Sequence, residues 1–261
     1  MRDEVGMTHM DKRVIVTAGA GGIGNVTAAA FAAAGAKVFI CDIDQRVLDA
    51  ALADNPKWGG VLADVSDESS VAALFGAALK HLGGLDILVN NAGVAGPTAP
   101  VESVSLEDWR RCLSVNLDAA FMCARAAIPH LKAQRSGSIV NLSSTAGLFG
   151  FPNRSPYASA KWAIRGFTRT LAAELGAFGI RANCICPGAV EGDRIDRVIA
   201  KDAEATGRSV NEVRVQYASQ SSLQTFIQPD DIAAAILFLT SEAGAKISGQ
   251  ELAVDGHTWT L

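Results

Sequence analysis

Aromatic side chains make up only 6% of the 261 residues, and only two of them are tyrosines. The core must therefore be mainly aliphatic, and a phenol at any chosen place is rare. No apolar run approaches the roughly 18–20 residues that cross a bilayer, so no membrane partner is expected. Positive charge is also short: 23 Lys and Arg against 27 Asp and Glu, net −4. That excludes the dense basic face of a nucleic-acid binder. The five cysteines (Cys41, Cys112, Cys123, Cys184, Cys186) are odd in number and form no C-x-x-C, as for reduced core thiols in a cytoplasmic protein. His9, His81, His130 and His257 have no metal-ligand spacing, and no metal is expected. Residues 1–11 lack the apolar stretch of a secretory signal and read as a flexible N-terminus.

What is present is apolar and regular. At 49% hydrophobic, the chain can bury enough surface to fold. Short unbroken aliphatic runs predict strands over Arg13–Thr17, Lys37–Asp42, Gly60–Ala63, Ile87–Asn90, Ser138–Ser143, Arg181–Cys186 and Gly249–Val254. Between them lie helix-length segments at Ile23–Ala34, Glu68–Leu82, Leu106–Lys132, Pro156–Ala177 and Asp230–Ser241. Such alternation implies right-handed βαβ units. The fold class is α/β: a Rossmann-like doubly wound single domain over 12–261, with a seven-stranded parallel sheet and helices on both faces. The charged stretch Gly192–Gln228 is too long to be structureless in a compact domain. It reads as two amphipathic helices, Arg194–Thr206 and Val210–Ser219, forming a lid at the strand ends.

The first strand runs into Thr17-Ala18-Gly19-Ala20-Gly21-Gly22-Ile23-Gly24 and then a helix. A glycine-rich turn there lets backbone N–H groups reach a pyrophosphate at the helix N-terminus. Asp42 closes the second strand, where a carboxylate accepts hydrogen bonds from the adenosine ribose and repels a 2′-phosphate. Ile43 and Ala20 carry no charge that would neutralise that phosphate, so the expected cofactor is NAD. Asp42 also has a bland reading as the N-cap of a helix beginning near Asp44.

Tyr157-Ala158-Ser159-Ala160-Lys161 places a phenol and an ammonium at i and i+4 on one helix face. A cation within about 4–6 Å lowers the phenol pKa from its ordinary ~10 toward that of a base useful near neutrality.

Together these residues resemble the short-chain dehydrogenase/reductase family over roughly Lys12 to Gly256. The family's glycine turn matches Thr17 to Gly24, placing Ala18, Ala20, Gly21, Gly22 and Ile23 against the cofactor. Its D-V motif matches Asp64-Val65, its N-N-A-G matches Asn90-Asn91-Ala92-Gly93, and its P-G matches Pro187-Gly188. Asn116, Ser144, Tyr157 and Lys161 match the catalytic set. The resemblance implies an NAD-dependent oxidation of a secondary alcohol to a ketone, or the reverse, without metal. Tyr157 takes the alcohol proton, Ser144 holds the substrate oxygen, Lys161 lowers the tyrosine pKa and binds the nicotinamide ribose, and Asn116 holds a relay water. Two positions depart from the family: Ala18 stands at the first glycine, and Gly192 where a threonine often contacts the carboxamide. The second leaves the backbone around Val190 to orient that group.

The substrate pocket is expected from Val94–Thr98, Thr145–Phe151 and Ala189–Arg197, with Ala146, Phe151 and Arg194 lining it. Arg154 and Arg194 either meet an acidic substrate group or are surface or structural arginines. A small polyol, sugar derivative or hydroxy acid fits. Alternatives are an NADPH-dependent 3-oxoacyl or ketone reductase, and a non-catalytic cofactor-binding regulator. The resemblance further implies a homotetramer built through the helices near Leu106–Lys132 and Pro156–Ala177, with Ala119-Ala120 and Ala172-Ala173 permitting close packing and Trp259-Thr260-Leu261 docking on a neighbour.

Overall fold

The computed structural model describes residues 8–260. Among them, β1 (Arg13–Thr17), β2 (Lys37–Asp42), β3 (Gly59–Leu62), β4 (Ile87–Asn90), β5 (Gly137–Leu142), β6 (Ile180–Pro187) and β7 (Glu251–Val254) form one parallel sheet in the order β3-β2-β1-β4-β5-β6-β7. Because successive strand residues point to opposite faces, each buried strand feeds two cores. Ile15, Phe39, Leu88 and Ile139 pack on α3 (Glu68–Leu82), α5 (Ala119–Gln134) and α6 (Ser155–Leu175). Val14, Val16, Ile40 and Val89 pack on α1 (Gly22–Ala33), α2 (Gln45–Asp54) and α9 (Pro229–Thr240).

The structure follows the predicted strands to within two residues but breaks one predicted helix. Leu106–Lys132 is α4 (Leu106–Leu113), a π turn (Ser114–Asp118) and α5. Asn116 explains the break: its Nδ2 donates to the Cys112 carbonyl at 2.9 Å and to the Val94 carbonyl at 3.0 Å, competing with the backbone for a helix carbonyl. The flexible N-terminus is also corrected where it is described. His9 is buried, donates from its backbone to Ala34, bonds through Nε2 to Thr240 and packs edge-on against Phe31; Asp11 N–H donates to Gly35. Residues 1–7 lie outside the described residues. After β6, α7 (Asp193–Thr206) and α8 (Val210–Ser219) form the predicted pair and share a small core of Val198, Ile199, Ala203, Val213 and Tyr217.

Candidate active site

Strand order reverses between β1 and β4, which opens a crevice at their carboxyl ends. The turn out of β1 holds Ala18 at φ 47° and Gly22 at φ 51°. A Cβ built on Gly22 meets nothing within 4 Å, and no side chain caps α1, so its first-turn N–H groups have no side-chain competitor. On the inner side the turn is tight: a Cβ on Gly24 would come 2.1 Å from the Ala18 oxygen. Asn91 holds the turn by donating from Nδ2 to the Thr17 and Ala18 carbonyls, both at 3.0 Å. The Asn91 and Ala92 N–H groups donate to Thr17 Oγ1 at 3.0 and 3.1 Å. Thr17 thus organises the turn, a role its place in the motif did not reveal.

Asp42 is not the helix cap; Asp44 is, accepting from the Arg46 N–H. The Asp42 Oδ1 accepts from the N–H groups of Ile43 (2.8 Å) and Asp44 (3.2 Å), and its Oδ2 lies 3.4 Å from the Ala20 N–H. The carboxylate is therefore fixed beside the turn, next to an exposed Ile43. Val65 is buried, while the exposed Asp64 carboxylate accepts from Ser66. Past β6, Gly188 donates to Val254, and Val190 sits in a short parallel bridge with Ile227, so Pro187 to Val190 is strapped at the same sheet edge. An open glycine turn on an uncapped helix, with a carboxylate at the end of β2, fits a dinucleotide.

Tyr157 stands in the first turn of α6, partly buried, with Lys161 one turn on and buried. The Lys161 Nζ lies 5.6 Å from the centre of the Tyr157 ring and donates to the Leu142 carbonyl at 2.8 Å. Ser143 fixes the lysine from behind, donating from Oγ to its carbonyl at 2.7 Å. Ser144, two residues past β5, accepts from the Ala146 N–H at 3.2 Å, and its hydroxyl favours ionisation of Tyr157. Gly93 packs tightly under Asn116: a Cβ there would lie 2.7 Å from Asn116 Oδ1 and 3.5 Å from Lys161 Nζ, so a larger residue would displace the asparagine. Burial opposes ionisation of Tyr157, but Arg194, Lys161, the Ser144 hydroxyl and Arg154 outweigh it, and its pKa falls below the ordinary value. Burial likewise lowers the Lys161 pKa, with Tyr157 opposing that shift.

The family model described as Enoyl-(Acyl carrier protein) reductase matches residues 18–257. The chain belongs to the short-chain dehydrogenase/reductase family. It is 36% identical over 257 residues to the cis-4-hydroxycyclohexanecarboxylate dehydrogenase of Sinomonas cyclohexanicum, covering 97% of this chain and 98% of that one. The structure of an NAD+-bound xylitol dehydrogenase superposes with a TM-score of 0.90 at 28% identity, covering 95% of this chain and 98% of that one. That of an actinorhodin polyketide ketoreductase variant with NADPH superposes with a TM-score of 0.91 at 28% identity, again over 95% and 98%. Relatives of these kinds make this short-chain dehydrogenase/reductase an oxidoreductase of alcohols that uses a nicotinamide cofactor.

Two expectations about this family member's pocket change. Ala146 is fully buried in the turn Thr145–Gly147 and offers no surface to a ligand; its N–H positions Ser144 instead. Arg154 is not a surface residue: it is 4% exposed, donating from Nη1 to Thr98 Oγ1 at 2.9 Å and from Nη2 to the Ala95 carbonyl at 3.0 Å. Phe151 is half-buried, its ring centre 5.5 Å from the Arg154 guanidinium carbon. Arg194, on α7, is exposed and stands over the Tyr157 ring.

Proposed function

We propose that this chain oxidises a secondary alcohol to a ketone with NAD as its cofactor, the substrate being a small polyol, sugar derivative or hydroxy acid. The observation that carries the reading is the surroundings of Tyr157: three cations 5.6–5.8 Å from its ring centre, which with Ser144 favour its phenolate. The phenolate takes the hydroxyl proton of the substrate. Ser144 Oγ holds the substrate oxygen as its charge changes. Lys161 keeps the phenolate charged, and Asn116, set in the π turn beside Gly93, serves the path by which the proton leaves the lysine. Gly21, Gly22 and Ile23 at the α1 N-terminus would hold the cofactor phosphates, Asp42 the adenosine ribose, Asp64 and Val65 the adenine, and Gly93, Lys161, Pro187, Gly188 and Val190 the nicotinamide half. When bound, the nicotinamide ring supplies the two-electron acceptor for the carbinol carbon.

Asp42 supports NAD over NADP, since a 2′-phosphate would meet its carboxylate, and the nearby cation Arg46 is paired with Asp44. Titration with NAD+ and NADP+, followed by a screen of secondary alcohols for reduced-cofactor absorbance, tests the proposal. Turnover with NAD+ that is lost in Tyr157→Phe, with cofactor binding kept, is the expected result. Preference for NADP+ would move the reading to a ketone or 3-oxoacyl reductase. Binding without turnover on any alcohol or ketone would favour a regulator.

A further inference from the structure

Arg154 is a buried charge without a counter-ion. Its guanidinium makes the two hydrogen bonds to Thr98 and Ala95, and its Nε has no partner. Among the described residues no carboxylate lies within 4.0 Å of it. A buried cation is costly unless paired. Arg194 repeats the pattern from the lid. Its one hydrogen bond is a long donation from Nη1 to the Gly93 carbonyl at 3.4 Å, and it too lacks an acidic partner among the described residues. Of the acids beside it in sequence, Glu191 and Asp196 pair with Arg214, and the adjacent Asp193 makes no ion pair with it. The two guanidinium carbons lie 5.7 and 5.8 Å from the centre of the same Tyr157 ring. With Lys161, three cations surround one phenol.

We propose that Arg154 and Arg194 form a clamp for an anionic group on the substrate, so that the alcohol carries a carboxylate or sulfonate. The inference rests on Tyr157 being the base for a secondary alcohol, and narrows its substrate. A purely structural Arg154, pinning residues 95–98 to the start of α6, accounts for two of its hydrogen bonds. It accounts neither for the missing counter-charge of Arg154 nor for a second unpaired arginine over the same ring. An oxyanion supplies a counter-charge to both, because planar guanidinium groups bind such groups through paired N–H donors. A cationic nicotinamide adds to the positive potential that an uncharged alcohol would leave in place. Since Arg154 is fixed on the body of the fold and Arg194 rides on α7, the same anion would tie the lid to the site.

The test compares secondary hydroxy acids with their methyl esters at low salt, in the wild type and in Arg194→Gln, an exposed position where the change leaves the core intact. The wild type is expected to favour acid over ester in kcat/KM by roughly ten- to hundredfold, the scale of a hydrogen bond to a charged group. In Arg194→Gln that ratio collapses toward one, mainly through KM of the acid. An active enzyme that does not distinguish acid from ester overturns the clamp while leaving alcohol oxidation standing. A second measurement needs no turnover. With cofactor present, benzoate is expected to raise the melting temperature and benzamide is not, and Arg194→Gln removes the difference. Equal effects of the two probes on the wild type overturn the clamp whatever the activity screen finds.

Discussion

Gly24 lies so close under the carbonyl of Ala18 that a single added methyl would stand 2.1 Å from its oxygen. That contact seats the first turn of α1 against the end of β1, and it explains why Ala18 holds φ 47° despite its Cβ. For an L-residue the left-handed region costs about 1–2 kcal/mol. Glycine at position 18 removes that cost but adds about 0.4–1 kcal/mol of unfolded-state entropy. Ala18→Gly is therefore expected to stabilise the protein by up to about 1.5 kcal/mol in urea unfolding, with cofactor affinity kept. Gly24→Ala is expected to do the opposite, lowering the melting temperature and weakening dinucleotide binding at least tenfold by titration.

The depressed Tyr157 pKa sets the sign of the pH dependence. In alcohol oxidation the phenolate is the active form, so kcat/KM rises with pH and levels once the phenol has ionised, below its ordinary ~10. Arg194 is the strongest of the charges favouring ionisation. In Arg194→Gln the rise moves to higher pH, read with an uncharged alcohol so that substrate charge does not enter. A rise that stays in place would separate Arg194 from the phenol.

Asp42→Ala removes the acceptor for the ribose hydroxyls and the repulsion toward a 2′-phosphate. Weaker NAD+ binding, by roughly tenfold for about 1.4 kcal/mol, is expected together with stronger NADP+ binding. Calorimetric titration of both dinucleotides reads the two changes separately. NADP+ binding that does not improve would show that Asp42 is not what excludes it.

Assembly is proposed through α5 and α6, where Ala172 is half-buried and Ala173 exposed, but not through Ala119-Ala120. Ala119 and Ala120 are buried within the subunit, taken up by its own cores. The exposed groups are Phe121 on α5 and Trp162 on α6, which are 46% and 48% accessible. Phe121→Glu with Trp162→Glu is expected to shift sedimentation from tetramer toward smaller species without loss of helical signal. A wild type that sediments as a monomer removes the proposal.

Local features were legible in the chain because their causes are local. The runs Val14–Val16 and Val38–Cys41 declare buried strands, the glycine turn is contiguous, and Tyr157 with Lys161 needs only the pitch of one helix to share a face. Resemblance to a family added Ser144 and Asn116, which no local pattern singles out. Tertiary structure decided the rest. Asn116 breaks its helix because the Val94 carbonyl arrives from another segment. Arg154 is buried because Ala95 and Thr98, more than fifty positions away, close over it. Arg194 has no ion pair among the described residues, and Arg214 takes two of the three acids near it in sequence, Glu191 and Asp196. Periodicity and propensity act over a few residues, whereas desolvation and Coulomb interaction depend on every group within several ångströms. The sequence alone therefore determined the fold and the pairing of Tyr157 with Lys161 on one helix face, and the packing decided how many cations surround that phenol.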